Sequence, residues 1–192
     1  MNSEPIPVLT VTRSVCPLCS GEVVTNWVKN DIPFFGEVMH ITSLCECGFR
    51  YTDTLITTQR RPVHYEIKIS DIDDLNARVV RSTSGTIRIP ELGVDIEPGP
   101  ASESFISNIE GVLDRVKEIL GMVVRWDEDD KSPRAQELLC VIDKIMSGEC
   151  GITVIIDDPL GNSAIISNKA TSRDLTDEEA ASLKTGMIIF EK

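Results

Sequence analysis

Two closely spaced cysteine pairs, Cys16-Pro17-Leu18-Cys19 and Cys45-Glu46-Cys47-Gly48, carry the clearest chemical signal in this chain. Two thiolates three residues apart can hold one ion, while backbone amides of the connecting loop donate to the sulfurs. The second pair supplies the other two ligands of a tetrahedral, all-cysteine site. A glycine after Cys47 suits a tight turn at positive φ. Four sulfurs favour zinc or an iron–sulfur centre, with zinc the first choice. Four protein ligands leave no position for a reactive water, so the expected cofactor is one structural zinc ion on Cys16, Cys19, Cys45 and Cys47. His40 or His64 could replace one sulfur, although each reads more simply as a β-surface residue. Cys140 lies off the apolar stripe of its helix and Cys150 in the turn that follows, and both read as unligated thiols.

The elements around the pairs must bring them together. The stretch VLTVTR (8–13) alternates like a strand, and EVVTNWV and GEVMHITS lie within the 25 residues that separate the pairs. This is the layout of a zinc ribbon, two knuckles joined by short β segments. Residues 1–57 form the expected ribbon, with too few large apolar residues to fold alone. A metal worth about 10–16 kcal/mol of apparent binding free energy would hold it instead.

Residues 58–192 form the second expected domain. HYEIKI, ARVVRS, TIRI and VDI are short β-prone runs separated by turn-rich segments, at spacings typical of an all-β sandwich or barrel. A helical hairpin interrupts them at about 103–148. Its first helix aligns Phe105, Ile109, Val112, Leu113, Val116, Ile119 and Leu120, with Ser104 as cap and Gly121 as stop. Gly111 inside that helix implies close packing. The second helix opens at Ser132-Pro133 and carries Ala135, Leu138, Leu139, Ile142, Ile145 and Met146. After it, ITVIID and SAIIS flank Asp158-Pro159-Leu160-Gly161, the signature of a type I turn, and are expected to form a hairpin. Thr176 and Glu179 make a capping box for a short helix, and MIIFE reads as a last strand.

Charge narrows the partners. With 19 Lys and Arg against 31 Asp and Glu, the net charge is −12. Phosphate backbones are bound through cation release, so nucleic acid and anionic membranes are disfavoured and a basic protein surface is favoured. No apolar run reaches the roughly 18 residues that span a bilayer. No basic head followed by an apolar stretch opens the sequence, so a cytoplasmic protein with reduced thiols is expected.

Other candidate sites have plainer readings. Phe34 and Phe35, in the loop between the knuckles, either pack the ribbon against the β domain or form an exposed apolar anchor for a partner. Asp157-Asp158 could be a catalytic carboxylate pair, but the turn accounts for Asp158 better. Asn162 and Ser163 are read as bonding within the hairpin rather than forming a recognition edge, and Asp127–Asp130 as a solvated connector or a landing site for a basic partner. Glu110 is read as capping or pairing locally. Lys29, Arg50, Arg60 and Arg61 are the candidates for a basic patch that would let a ribbon contact RNA or the transcription or translation machinery directly. The chain has no Gly-rich phosphate loop or G-x-S-x-G. Its two histidines, 24 residues apart, are too few for a jelly-roll metalloenzyme.

The stretch CPLC…DIPFFGEV…CECGFRYTD resembles the zinc finger of the ZPR-one family, zinc-finger proteins that bind translation elongation factor 1-alpha. DDLNARVVRSTSGTIRIPELGVDI, SFISNIEGVLDRV and ITVIIDDPLGNSAI are similar to later segments of the same family, so the resemblance spans roughly residues 14–190. It implies a mainly β fold with helices, a zinc ribbon followed by a double-stranded β-helix (jelly-roll-like) domain with an inserted helical hairpin. It also implies a non-enzymatic factor that assists folding of elongation factor 1-alpha. Eukaryotic members carry two such modules, and the single module here looks like the archaeal form. The chain departs from the pattern at the short Cys45-Glu46-Cys47 knuckle and at Phe35-Gly36, where eukaryotic members have a basic residue.

Overall fold

The computed structural model describes residues 8–33, 35–100, 102–126 and 132–186. The chain divides into two compact units, Met1–Gln59 and Arg60–Lys192; the division read from the sequence lies two residues earlier.

Among the described residues the first unit is a four-stranded antiparallel meander of β1 (Val8–Val15), β2 (Glu22–Ile32), β3 (Gly36–Cys45) and β4 (Arg50–Ile56), in that order across the sheet. Its buried side chains are few, among them Val23, Val38 and Ile41. That is a thin core for so long a sheet and agrees with a fold that depends on a metal.

Among the described residues the second unit has eight strands in two antiparallel sheets, an arrangement of the jelly-roll kind. One sheet runs β12-β5-β10-β7-β8, built from β5 (Val63–Ile69), β7 (Thr86–Ile89), β8 (Val94–Ile96), β10 (Ile152–Asp158) and β12 (Thr171–Asp174). The other runs β11-β6-β9, from β6 (Arg78–Arg81), β9 (Phe105–Asn108) and β11 (Ala164–Ile166). Two helices, α1 (Ile109–Trp126) and α2 (Ser132–Met146), are inserted between β9 and β10, and a short α3 (Asp177–Ser182) follows β12. One core joins these elements: Ile67, Ile87, Val154 and Ile156 from the larger sheet, Val79 and Ile165 from the smaller, Leu113 and Val116 from α1, Ile142 and Ile145 from α2.

Three sequence readings are corrected. Phe105 belongs to strand β9, paired with Arg81, and α1 begins at Ile109. Phe105 and Ile109 are four apart, so strand end and helix start mimic one helical stripe. There Asn108 Oδ1 accepts the Gly111 amide at 2.9 Å, and a Cβ on Gly111 would lie 2.2 Å from Ser107 Oγ, so the expected close packing is present. Second, α1 runs through Gly121 to Trp126, and Ile119 is exposed; a glycine in an exposed helical turn costs only about 1 kcal/mol. Third, the segments flanking Asp158–Gly161 do not pair. β10 joins β5 and β7, whereas β11 joins β6, so the turn carries the chain from one sheet to the other.

The Thr176–Glu179 capping box is present at the start of α3. Phe34, Asp127–Asp130 and the MIIFE segment lie outside the described residues.

Candidate metal centre

Strand register brings the cysteines together. Val15 pairs with Glu22, Val23 with Cys45 and Leu44 with Arg50, so the β1–β2 and β3–β4 loops lie at one end of the sheet. Each loop is closed by its own backbone bonds. In the first, the Cys16 amide donates to Gly21 O at 2.7 Å and the Ser20 amide to Cys16 O at 2.9 Å. In the second, the Cys45 amide donates to Phe49 O and the Gly48 amide to Cys45 O, both at 3.0 Å. Gly48 has φ of 94°, as the glycine after the pair predicts.

The sulfurs then meet across the loops. Cys16 Sγ lies 3.7 Å from Cys47 Sγ, and Cys19 Sγ lies 3.6 Å from Cys45 Sγ. All four fall within 4.8 Å of one another. Tetrahedral zinc with bonds of 2.3 Å needs sulfurs about 3.8 Å apart, so the donor set fits, the short Cys45-Glu46-Cys47 spacing included. Among the described residues this is the one cluster of three or more such donors. His40 bonds Thr54 and His64 bonds Asp157; neither joins the sulfurs. Cys140 and Cys150 are exposed free thiols.

The electrostatics suit a cation. Burial works to raise the Cys16 thiol, but the amides of Cys19 and Leu18 and the neighbouring Cys19 and Cys47 more than offset it, bringing it down to about 7. The amides of Gly21, Cys47 and Phe49 favour the thiolates of Cys19, Cys45 and Cys47 in turn. Crowding by the other thiols and partial burial nonetheless hold these three above the ordinary value. A divalent ion relieves that crowding. With all four positions filled by protein sulfur, it supplies cross-linking rather than a reactive water.

The other sequence candidates separate from this centre. The loop after Ile32 closes the β2–β3 hairpin at the far end of the sheet, and β2 from Val23 to Ile32 spans about 30 Å. Phe35 in that loop is buried, at 6% exposure, so its ring is not an exposed anchor. Lys29 is ion-paired with Glu37 and Arg61 with Asp174, leaving less of a basic patch than the sequence offered. Glu110 is exposed in the first turn of α1, where a carboxylate opposes the positive helix end.

A second polar constellation joins the expected turn role of Asp158 and the local bonding of Asn162 and Ser163 to two hydroxyls from a distant segment, which the sequence did not point to. Asp158 is fully buried, and its carboxylate accepts from five donors: Ser82 Oγ (2.7 Å), Ser84 Oγ (2.6 Å), Ser163 Oγ (2.6 Å) and the amides of Leu160 (2.9 Å) and Asn162 (3.0 Å). The strand phase was the available signal: Asp158 continues the inward positions of Ile152, Val154 and Ile156. Asp157 faces the other way, bound by Arg88 and by His64 Nδ1 at 2.7 Å. The two carboxylates therefore do not form a catalytic pair.

A four-cysteine β meander followed by a two-sheet β domain with inserted helices defines a zinc-ribbon and jelly-roll protein. Residues 73–182 match the ZPR1 jelly-roll domain. The chain is 45% identical to a ZPR1-like protein of Pyrococcus horikoshii, covering 97% of this chain and 86% of that one. It is likewise 45% identical to a ZPR1-like protein of Methanocaldococcus jannaschii, covering 94% and 93%. To the zinc finger chaperone zpr1 of Schizosaccharomyces pombe it is 33% identical over 79% of its length, which spans 34% of that protein. The chain belongs to the ZPR1 family, and its cofactor is one structural zinc ion.

Proposed function

We propose that this protein is a non-enzymatic, zinc-stabilised interaction factor that binds translation elongation factor 1-alpha and assists its folding in the cytoplasm. The observation that carries the reading is the relative named a zinc finger chaperone, aligned over 79% of this chain. Three features support it. The metal site has no coordination position left for substrate. A net charge of −12 favours a partner with a basic surface. No helix among the described residues is long and apolar enough to cross a membrane. Two archaeal relatives matched over most of their own lengths support the single-module, archaeal type.

Zinc-loaded protein immobilised on a resin tests the reading. Elongation factor 1-alpha from a related organism is expected to be retained at low salt, and its refolding yield from denaturant to rise with an equimolar amount of this protein. Retention that is absent at low salt, together with an unchanged refolding yield, overturns the assignment.

A further inference from the structure

The turn that carries the chain from β10 to β11 does a second job. Arg60, the first residue of the second unit, donates its amide to Leu160 O at 2.9 Å. Gly161 sits against the same segment at φ of 71°; a Cβ there would fall 2.1 Å from Arg61 O and 2.9 Å from Arg60 C. Only glycine fits both the left-handed backbone and that approach. The segment is held further along as well, by Arg61 with Asp174 at 3.5 Å and by the Leu175 amide on Pro62 O at 2.9 Å.

Asp158 holds the turn that does the clasping. Its Oδ1 accepts the Leu160 amide, and the Gly161 amide returns to Asp158 O at 3.2 Å. On the other side of the joint, the Thr57 amide donates to Glu37 O at 2.9 Å, and Thr58 Oγ1 accepts the Glu37 amide at 2.8 Å. Between these anchors stands Gln59, whose backbone takes part in no hydrogen bond among the described residues.

We propose that the Asp158–Gly161 turn is a latch on Arg60 and Arg61. Closed, it leaves Gln59 as the single residue between the two anchors; open, it frees the backbone of Gln59 and Arg60, while the Leu175 amide still holds Pro62. A buried carboxylate with five donors has one well-defined arrangement, so the turn is a stiff anchor rather than a flexible loop. This inference is independent of the partner proposed above.

Two measurements on the zinc-loaded protein test it. In amide exchange by NMR, Thr57 and Arg60 are expected to be protected at least ~100-fold more than Gln59. Arg60 exchanging as fast as Gln59 overturns the latch. In native trypsin digestion read by mass spectrometry, wild type is expected to stay intact at the Arg60–Arg61 bond, and Gly161→Ala to be cut there, yielding fragments 1–60 and 61–192. A variant with Gly-Ser-Gly inserted after Gln59 keeps the latch and is expected to resist at Arg60. Cutting of wild type or of the insertion variant at Arg60 as fast as an unfolded peptide overturns it, as does a folded Gly161→Ala that resists like wild type. Should Gly161→Ala fail to fold, the exchange measurement decides alone.

Discussion

Asp157 and Asp158 are adjacent in the chain, yet β10 sends their carboxylates to opposite faces of its sheet. Asp157 lies between His64 and Arg88, and Asp158 lies in a shell of three hydroxyls and two amides. The pair looks like catalytic machinery only when strand alternation is ignored.

This difference gives the two positions different stability effects. Asp158→Asn places an amide nitrogen among hydroxyl and amide donors and is expected to cost about 3 kcal/mol. The second unit's melting temperature should fall by roughly 10 °C. Asp157→Asn keeps its oxygen as acceptor for the half-exposed Arg88 and turns its amide N–H to His64 Nδ1, which accepts in the other tautomer. It is expected to cost about 1 kcal/mol. Calorimetry showing Asp157→Asn as the more damaging of the two contradicts the assignment.

Zinc removal should act on the first unit alone. With few buried apolar residues in the meander, a chelator is expected to unfold residues 8–59 and leave the second unit's transition in place. Elemental analysis should find one zinc per chain. Cys19→Ser and Cys45→Ser should each lower that content. A chelated protein whose β2–β3 amides keep their protection would show that the sulfurs are dispensable.

Zinc affinity should rise steeply with pH. Near pH 7 Cys16 is about half ionised, while Cys19, Cys45 and Cys47 are held protonated above the ordinary thiol value. Binding requires all four thiolates, so it must release about three to four protons at that pH. Titration calorimetry in buffers of differing ionisation enthalpy counts them directly. Fewer than two would mean that the four sulfurs do not all ligate.

The cap of α3 should respond to acid. Glu179, bound by Arg173 through two bonds of 2.8 Å and by the Thr176 amide, is held down at about 2 against an ordinary 4.5. A lowered carboxylate contributes stability that is fully present above its unfolded value and lost as pH falls through its folded one. The Thr176 amide signal should therefore stay native at pH 4.5 and shift as the pH approaches 2. A midpoint near 4.5 would show that the cap is not formed.

Much was decided by local sequence. The cysteine spacing, the positive φ of Gly48, the cap at Thr176 and the alternation of Ile152, Val154 and Ile156 depend on neighbours a few residues away, and each is where the residue types place it. Other relationships belong to the tertiary structure because they join distant segments. Strand register, set by side chains on both partners, put the zinc loops at one end of the meander and the Phe35 loop at the other. The pairing of β10 with β5 and β7, and of β11 with β6, turned an expected hairpin into a crossing between sheets. Asp158 became a buried node because Ser82 and Ser84, more than 70 residues earlier, supply the hydroxyls that make its burial tolerable. No window of sequence contains both ends of such a bond, so only the folded chain could reveal it.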